Sequence, residues 1–113
     1  MRILIVEDEM MIAMHMEDLV CDLGHEVAAT AQRLPQALEL AGSIKLDLAI
    51  LDVNLAGAMS FPVADLLNER GVPYIFATGY GSAGVQAPYN QHPILRKPVN
   101  PDELSLAIGA ATA

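Results

Sequence analysis

The feature that most restricts how this chain can fold is Asp47-Leu48-Ala49-Ile50-Leu51-Asp52-Val53-Asn54. Four successive apolar residues of strand length, with no polar alternation, predict a strand covered on both faces, the habit of parallel sheets. The run ends abruptly in Asp52, followed by Asn54 and a loop carrying Gly57. In open α/β sheets ligands bind at the carboxyl ends of the strands, which is where Asp52 falls.

The remaining pattern alternates with that strand. Residues 2–6 are a first apolar strand closed by Glu7-Asp8-Glu9. Ile12, Met16, Leu19, Val20 and Leu23 recur at helical spacing, with Met10, Met11 and Met14 expected as adaptable core bulk and Gly24 as the C-cap. A second strand is expected near 27–30, and Leu34, Ala37, Leu38 and Ala41 give a second helical stripe with Pro35 in its first turn. Residues 55–60 read as a loop, 62–70 as a helix stopped by Gly71, and 72–77 as a fourth strand ending at Thr78-Gly79-Tyr80. The glycines and proline of 81–92 predict a short, mobile helix or irregular loop. His92 to Arg96 form a fifth strand before Lys97-Pro98, and Asn100-Pro101-Asp102-Glu103 announces the final helix: a capping side chain, proline at N1 and acids behind it. Five alternations call for a parallel sheet with helices on both faces and right-handed crossovers, for which the order 2-1-3-4-5 is common.

That order delivers four strand ends to one crevice: Glu7 and Asp8, Asp52, Thr78, and Lys97. Two carboxylates ~4 Å apart repel by about 4 kcal/mol at an effective dielectric near 20, so three do not stay ionised together unaided. Either one is protonated or a dication fills the gap. Carboxylate and carbonyl oxygens suit Mg²⁺, held by Asp8, Asp52 and the main-chain carbonyl of Asn54, with Glu7 acting through water. Asp52 could then attack a phosphoryl group, whose oxygens would meet the Thr78 hydroxyl and the Lys97 ammonium.

The set Glu7-Asp8, Asp52, Thr78 and Lys97-Pro98, in that order and spacing, resembles the receiver domain of bacterial two-component response regulators over essentially all of residues 1–113. The resemblance implies a flavodoxin-like (βα)5 three-layer sandwich. It also implies a phosphoryl group accepted on Asp52 from a sensor histidine kinase or a histidine phosphotransfer protein, with Mg²⁺ bound. Tyr74 to Tyr80 further resemble the FATGUY subclass of receivers, associated with HWE-type kinases and stress signalling. Two positions depart from the family pattern: Ile94 stands where an aromatic switch residue is usual, and Ala56 where proline is usual. Thr78, Tyr80 and Ile94 are therefore the expected switch positions, with Tyr80 or the 81–84 segment taking over the readout.

Other classes fit less well. A small Mg²⁺-dependent phosphohydrolase could use the same chemistry, but phosphatases of the haloacid-dehalogenase type place the nucleophile after the first strand and add a cap. A net charge of −8 offers no basic face for phosphates of nucleic acid. No apolar run reaches membrane-spanning length, and the N-terminal strand turns acidic too soon for a signal peptide. Cys21, the sole cysteine, is expected as a small buried side chain in a reducing cytosol. The three histidines share no metal-ligand spacing and are expected at the surface or in loops. No segment follows the final helix, so the expectation is a stand-alone cytoplasmic receiver, not a turnover enzyme, acting through protein contacts or as a phosphate sink.

Overall fold

A computed structural model describes residues 1–79, 85 and 87–113. The elements, in chain order, are β1 (Arg2–Val6), α1 (Met10–Asp22), β2 (Glu26–Ala31), α2 (Leu34–Ser43), β3 (Leu48–Asp52), β4 (Asn54–Leu55), β5 (Ala58–Met59), α3 (Phe61–Glu69), β6 (Tyr74–Thr78), a 3-10 turn at Tyr89–Gln91, β7 (Ile94–Arg96) and α4 (Pro101–Thr112). Five strands pair in parallel in the order β2-β1-β3-β6-β7. This is the expected 2-1-3-4-5 order once the small β4–β5 pair is set aside, and the fold is the expected flavodoxin-like α/β sandwich.

The layers follow from strand parity. Leu4, Val6, Ala49, Leu51, Tyr74 and Phe76 face one way and join Ala37, Ala41, Val63, Ala64 and Leu67 of α2 and α3. Ile3, Ile5, Leu48, Ile50, Ile75 and Ala77 face the other way and join Met16, Leu19, Val20, Leu104, Ala107 and Ile108 of α1 and α4. Successive strand side chains point to opposite faces, so a strand buried on both must be apolar at every position. The Leu48–Leu51 run meets that demand.

Helix ends match their sequence signals where a side chain or a positive φ is required. Asn100 Oδ1 accepts from the N–H groups of Asp102 (2.7 Å) and Glu103 (3.2 Å), capping α4. Gly24 and Gly71 end their helices at φ +88° and +71°, a region costly for any residue with a Cβ.

Several expectations fail. Cys21 is exposed, lying on the solvent side of α1 and away from the stripe. Met10, Met11 and Met14 are 62, 84 and 56 % exposed, because the side of α1 that meets the core is the one bearing Ala13, Met16, Leu19 and Val20. Residues 55–60 are not a plain loop: β4 and β5 form a two-residue antiparallel hairpin, Asn54 opposite Met59 and Leu55 opposite Ala58. The fifth strand begins only at Ile94, so His92 stays in the preceding loop, as expected of the histidines, where it stacks on Tyr74 with ring centroids 3.9 Å apart. The 81–92 expectation falls in part on residues outside the description, 81–84 and 86; its described end carries the 3-10 turn.

The Asn100 cap satisfies two amides of α4 that no helical carbonyl can reach. Asn100→Ala should lower the unfolding free energy by about 1 kcal/mol, and Asn100→Gly by only a few tenths. Urea denaturation with an unchanged m-value is the measurement.

Candidate phosphoacceptor site

Register brings the acids together. Val6 pairs with Leu51 and Asp52 with Ala77, so the residue after β1, Glu7, meets the last residue of β3. Thr78 pairs with Arg96, and the Lys97 N–H donates to the Thr78 carbonyl at 2.9 Å, fixing the lysine where the β6–β7 ladder ends. Parity continued beyond the strands sends Glu7, Asp52 and Lys97 to the α1/α4 side.

There the Lys97 ammonium donates to Glu7 Oε1 in a close ion pair and lies 3.3 Å from Asp52 Oδ2. Glu7 is 2 % exposed, and its other oxygen accepts from the Glu9 N–H at 3.1 Å. Asp8 Oδ2 accepts from the Ala56 N–H at 3.1 Å. Oxygens of Glu7, Asp8 and Asp52 all lie within 4.8 Å of one another, an arrangement able to hold a metal ion. Asp8, Asp52 and Lys97 edge a cleft of about 600 Å³ that is also lined by Glu9, Ile12, Asn54, Ala56, Met59, Thr78 and Gly79.

Electrostatics distinguish the acids. Burial pushes the Glu7 carboxyl up to about 7, against the pull of Lys97 and the Glu9 amide. Burial likewise raises Asp52, although Lys97 opposes it. For Asp8 burial also acts upward, but hydrogen bonds with Glu7, Asp52 and the Ala56 amide outweigh it and hold the group below the usual carboxylate range. Burial alone would lower Lys97; its two acidic neighbours more than compensate and raise it.

Each expected site residue within the description can thus be located. Glu7, Asp8, Asp52 and Lys97 converge; Thr78 is buried at the same edge; Asn54 lines the cleft, its Oδ1 accepting from the Gly57 N–H at 2.8 Å. Ile94 lies in β7 opposite Phe76, against the α2/α3 cluster. Tyr80 lies outside the described residues. Sequence reasoning singled out Ala56 only as standing where proline is usual and missed its amide contact with Asp8, which depends on a turn flagged only by the following glycine. It also missed Tyr89, which stacks on Phe61 (4.5 Å) and donates its hydroxyl to Asp65 at 2.8 Å. No helix among the described residues is long and apolar enough to cross a membrane.

The family model for the response regulator receiver domain matches residues 3–109. Over 97 % of its length the chain is 37 % identical to the phyllosphere-induced regulator PhyR of Methylorubrum extorquens, of which it covers 43 %. It superposes on SdrG from Sphingomonas melonis Fr1 with a TM-score of 0.87 at 38 % identity, covering 99 % of this chain and 96 % of that one. SdrG from Pseudomonas melonis Fr1 in its BeF3-activated conformation gives a TM-score of 0.85 at 38 % identity, with the same coverage of 99 and 96 %. The PhyR stress response regulator gives 0.84 at 34 % identity, covering 97 % of this chain and 44 % of that one. The chain therefore spans less than half the length of PhyR and nearly all of SdrG. Matched over nearly its whole length, this chain belongs to the response regulator receiver domain family of two-component signalling.

Proposed function

We propose that residues 1–113 form one receiver unit in which Asp52 accepts a phosphoryl group from a phosphohistidine, and that the modified domain signals by changing its protein contacts or drains a kinase as a sink. The observation that carries this reading is the Lys97 ammonium shared by Glu7 and Asp52 with Asp8 beside them. An Asp52 oxygen attacks phosphorus, a new P–O bond forms, and the P–N bond to the donor imidazole breaks; the leaving imidazole takes up a proton. Lys97 and the Thr78 hydroxyl stabilise the equatorial oxygens in flight.

The donor set suits Mg²⁺: hard carboxylate oxygens, closely spaced, with room for water and a phosphoryl oxygen. Asp8, Asp52 and the Asn54 carbonyl would hold the ion, and Glu7, with both oxygens already engaged, would act through water. When bound, the ion supplies positive charge to the incoming phosphoryl group. Thr78 is drawn toward the phosphate, and Tyr80 and Ile94 are the further positions through which the change is read.

The partner is a sensor histidine kinase, with the HWE type as the candidate class, or a histidine phosphotransfer protein, and the compartment is the cytoplasm. The FATGUY reading rests on the Tyr74 to Tyr80 sequence, and similarity to the PhyR stress response regulator supports a part in stress signalling. The domain is a phosphoacceptor and not a turnover enzyme.

Incubation with acetyl phosphate and Mg²⁺, read by intact mass, should add one phosphate to the wild type and none to Asp52→Asn. Steady hydrolysis of a simple phosphomonoester, abolished in the same variant, would instead favour the phosphohydrolase.

A second expectation concerns pH. Native Glu7 keeps its proton up to about 7 while the unfolded chain loses it near 4.5, so the native state binds more protons between these values. Stability of metal-free protein should therefore fall as pH rises through that window and level off above it. Asp52, also raised, adds to the same trend. In EDTA the thermal midpoint should be higher at pH 5 than at pH 8. Glu7→Gln should flatten the slope, and Mg²⁺ should raise the midpoint more at pH 8.

A further inference from the structure

The β4–β5 hairpin begins two residues after Asp52 and is built on a two-residue turn, Ala56-Gly57, in which both residues have positive φ, +53° and +92°. That is the mirror-image turn whose twist suits a tight hairpin. Gly57 adopts it freely; Ala56 is the described non-glycine residue with positive φ. Three contacts hold the hairpin in place. Leu55 is buried in the α2/α3 core cluster, Asn54 Oδ1 accepts from the Gly57 N–H, and the Ser60 N–H donates to the Val53 carbonyl at 2.8 Å. Ala56 itself is exposed, and a turn amide in that position would ordinarily be hydrated. Instead it donates to Asp8 Oδ2, a carboxylate 48 positions earlier in the chain, in the connection between β1 and α1.

We propose that Ala56 is a positioning residue for the phosphoacceptor site, its main-chain N–H holding the Asp8 carboxylate in the cleft so that the remaining oxygen is presented to the cation. The inference rests on the Mg²⁺ reading above and adds the device that orients one of the ligands. The amide engages one Asp8 oxygen, which restricts rotation of the carboxylate and leaves the other oxygen for the ion. Outer contacts of this kind orient metal ligands and commonly change affinity by about 10–100-fold when removed. It also gives a physical reason for alanine at this position: proline has no N–H to donate, and its ring fixes φ near −65°, incompatible with the turn observed. The hairpin is thereby tied mechanically to the metal-binding acid, and it carries Met59, half exposed, at the mouth of the same cleft.

The test removes the hydrogen while keeping the chain. Chemical ligation can replace Ala56 by (S)-lactic acid, turning its amide into an ester; Ala56→Gly keeps the N–H and relaxes the positive φ. Calorimetric titration with Mg²⁺ should show affinity about 10-fold weaker for the ester and within about 2-fold of wild type for Ala56→Gly. Without metal, exchange of the residue 56 amide with deuterium should be slowed in the wild type and about 10-fold faster in Asp8→Ala, as one lost hydrogen bond of this strength implies. An ester that binds Mg²⁺ like wild type, or a residue 56 amide that exchanges freely in the wild type, overturns the inference. Failure of the wild type to bind Mg²⁺, with the amide still protected by Asp8, overturns the metal reading and leaves the positioning contact standing.

Discussion

The charge balance at the carboxyl edge depends on one ammonium. At 3.3 Å from Asp52, Lys97 contributes about 5 kcal/mol of attraction at an effective dielectric near 20, and its contact with Glu7 is closer still. Carboxylates within 4.8 Å of each other repel by roughly 3–4 kcal/mol per pair on the same scale. The two attractions therefore about match the three repulsions. What remains unbalanced is the cost of taking the groups out of water, and it falls on Glu7, the most buried of the acids. A proton on Glu7 relieves it, and so does a dication. The site is thus prepared for a cation by the same burial that makes it uncomfortable without one.

Lys97 performs this role because it is held by backbone. Its N–H closes the β6–β7 ladder on the Thr78 carbonyl, and parity directs its side chain to the face shared by Glu7 and Asp52. A parallel ladder fixes the relative height of strand ends, so acids from β1 and β3 arrive level with each other and with the lysine from the far side of β6. The apolar strands are therefore the instrument that sets the spacing of the polar groups.

This explains what could be read from sequence. The Leu48–Leu51 run declares burial on both faces, and a carboxylate directly after it can only lie at the strand's end; register does the rest. The Asn100 cap is equally local, since its partners are two and three residues away. The misread features depend on non-local geometry. Met10, Met11 and Met14 are apolar residues on the same helix, but which side of it meets the sheet is set by packing, and that side bears Ala13, Met16, Leu19 and Val20. Cys21 occupies the same helix one position beyond the buried Val20, and a rotation of about 100° per residue suffices to carry it to solvent. The β4–β5 hairpin requires an alanine with positive φ, which propensity argues against and which tertiary anchoring by Leu55 imposes.

The departure at Ile94 also acquires a physical context. Aromatic bulk beside β6 is supplied from the opposite flank: Phe76 meets Phe61, Tyr74 and Tyr89 at centroid distances of 5.8, 5.4 and 6.5 Å. Thr78 and Phe76 share one face of β6, two residues apart, so the threonine lies beside a ring already packed edge-on against its neighbours. Tyr89 extends that contact to the 3-10 turn, stacking on Phe61 and bonding to Asp65 of α3. Phe61 is itself the first residue of α3, directly after the segment that follows Asp52. The strand bearing Thr78 and the loop leaving Asp52 therefore lead into the same aromatic cluster, against which Ile94, paired with Phe76 from β7, packs its aliphatic side chain.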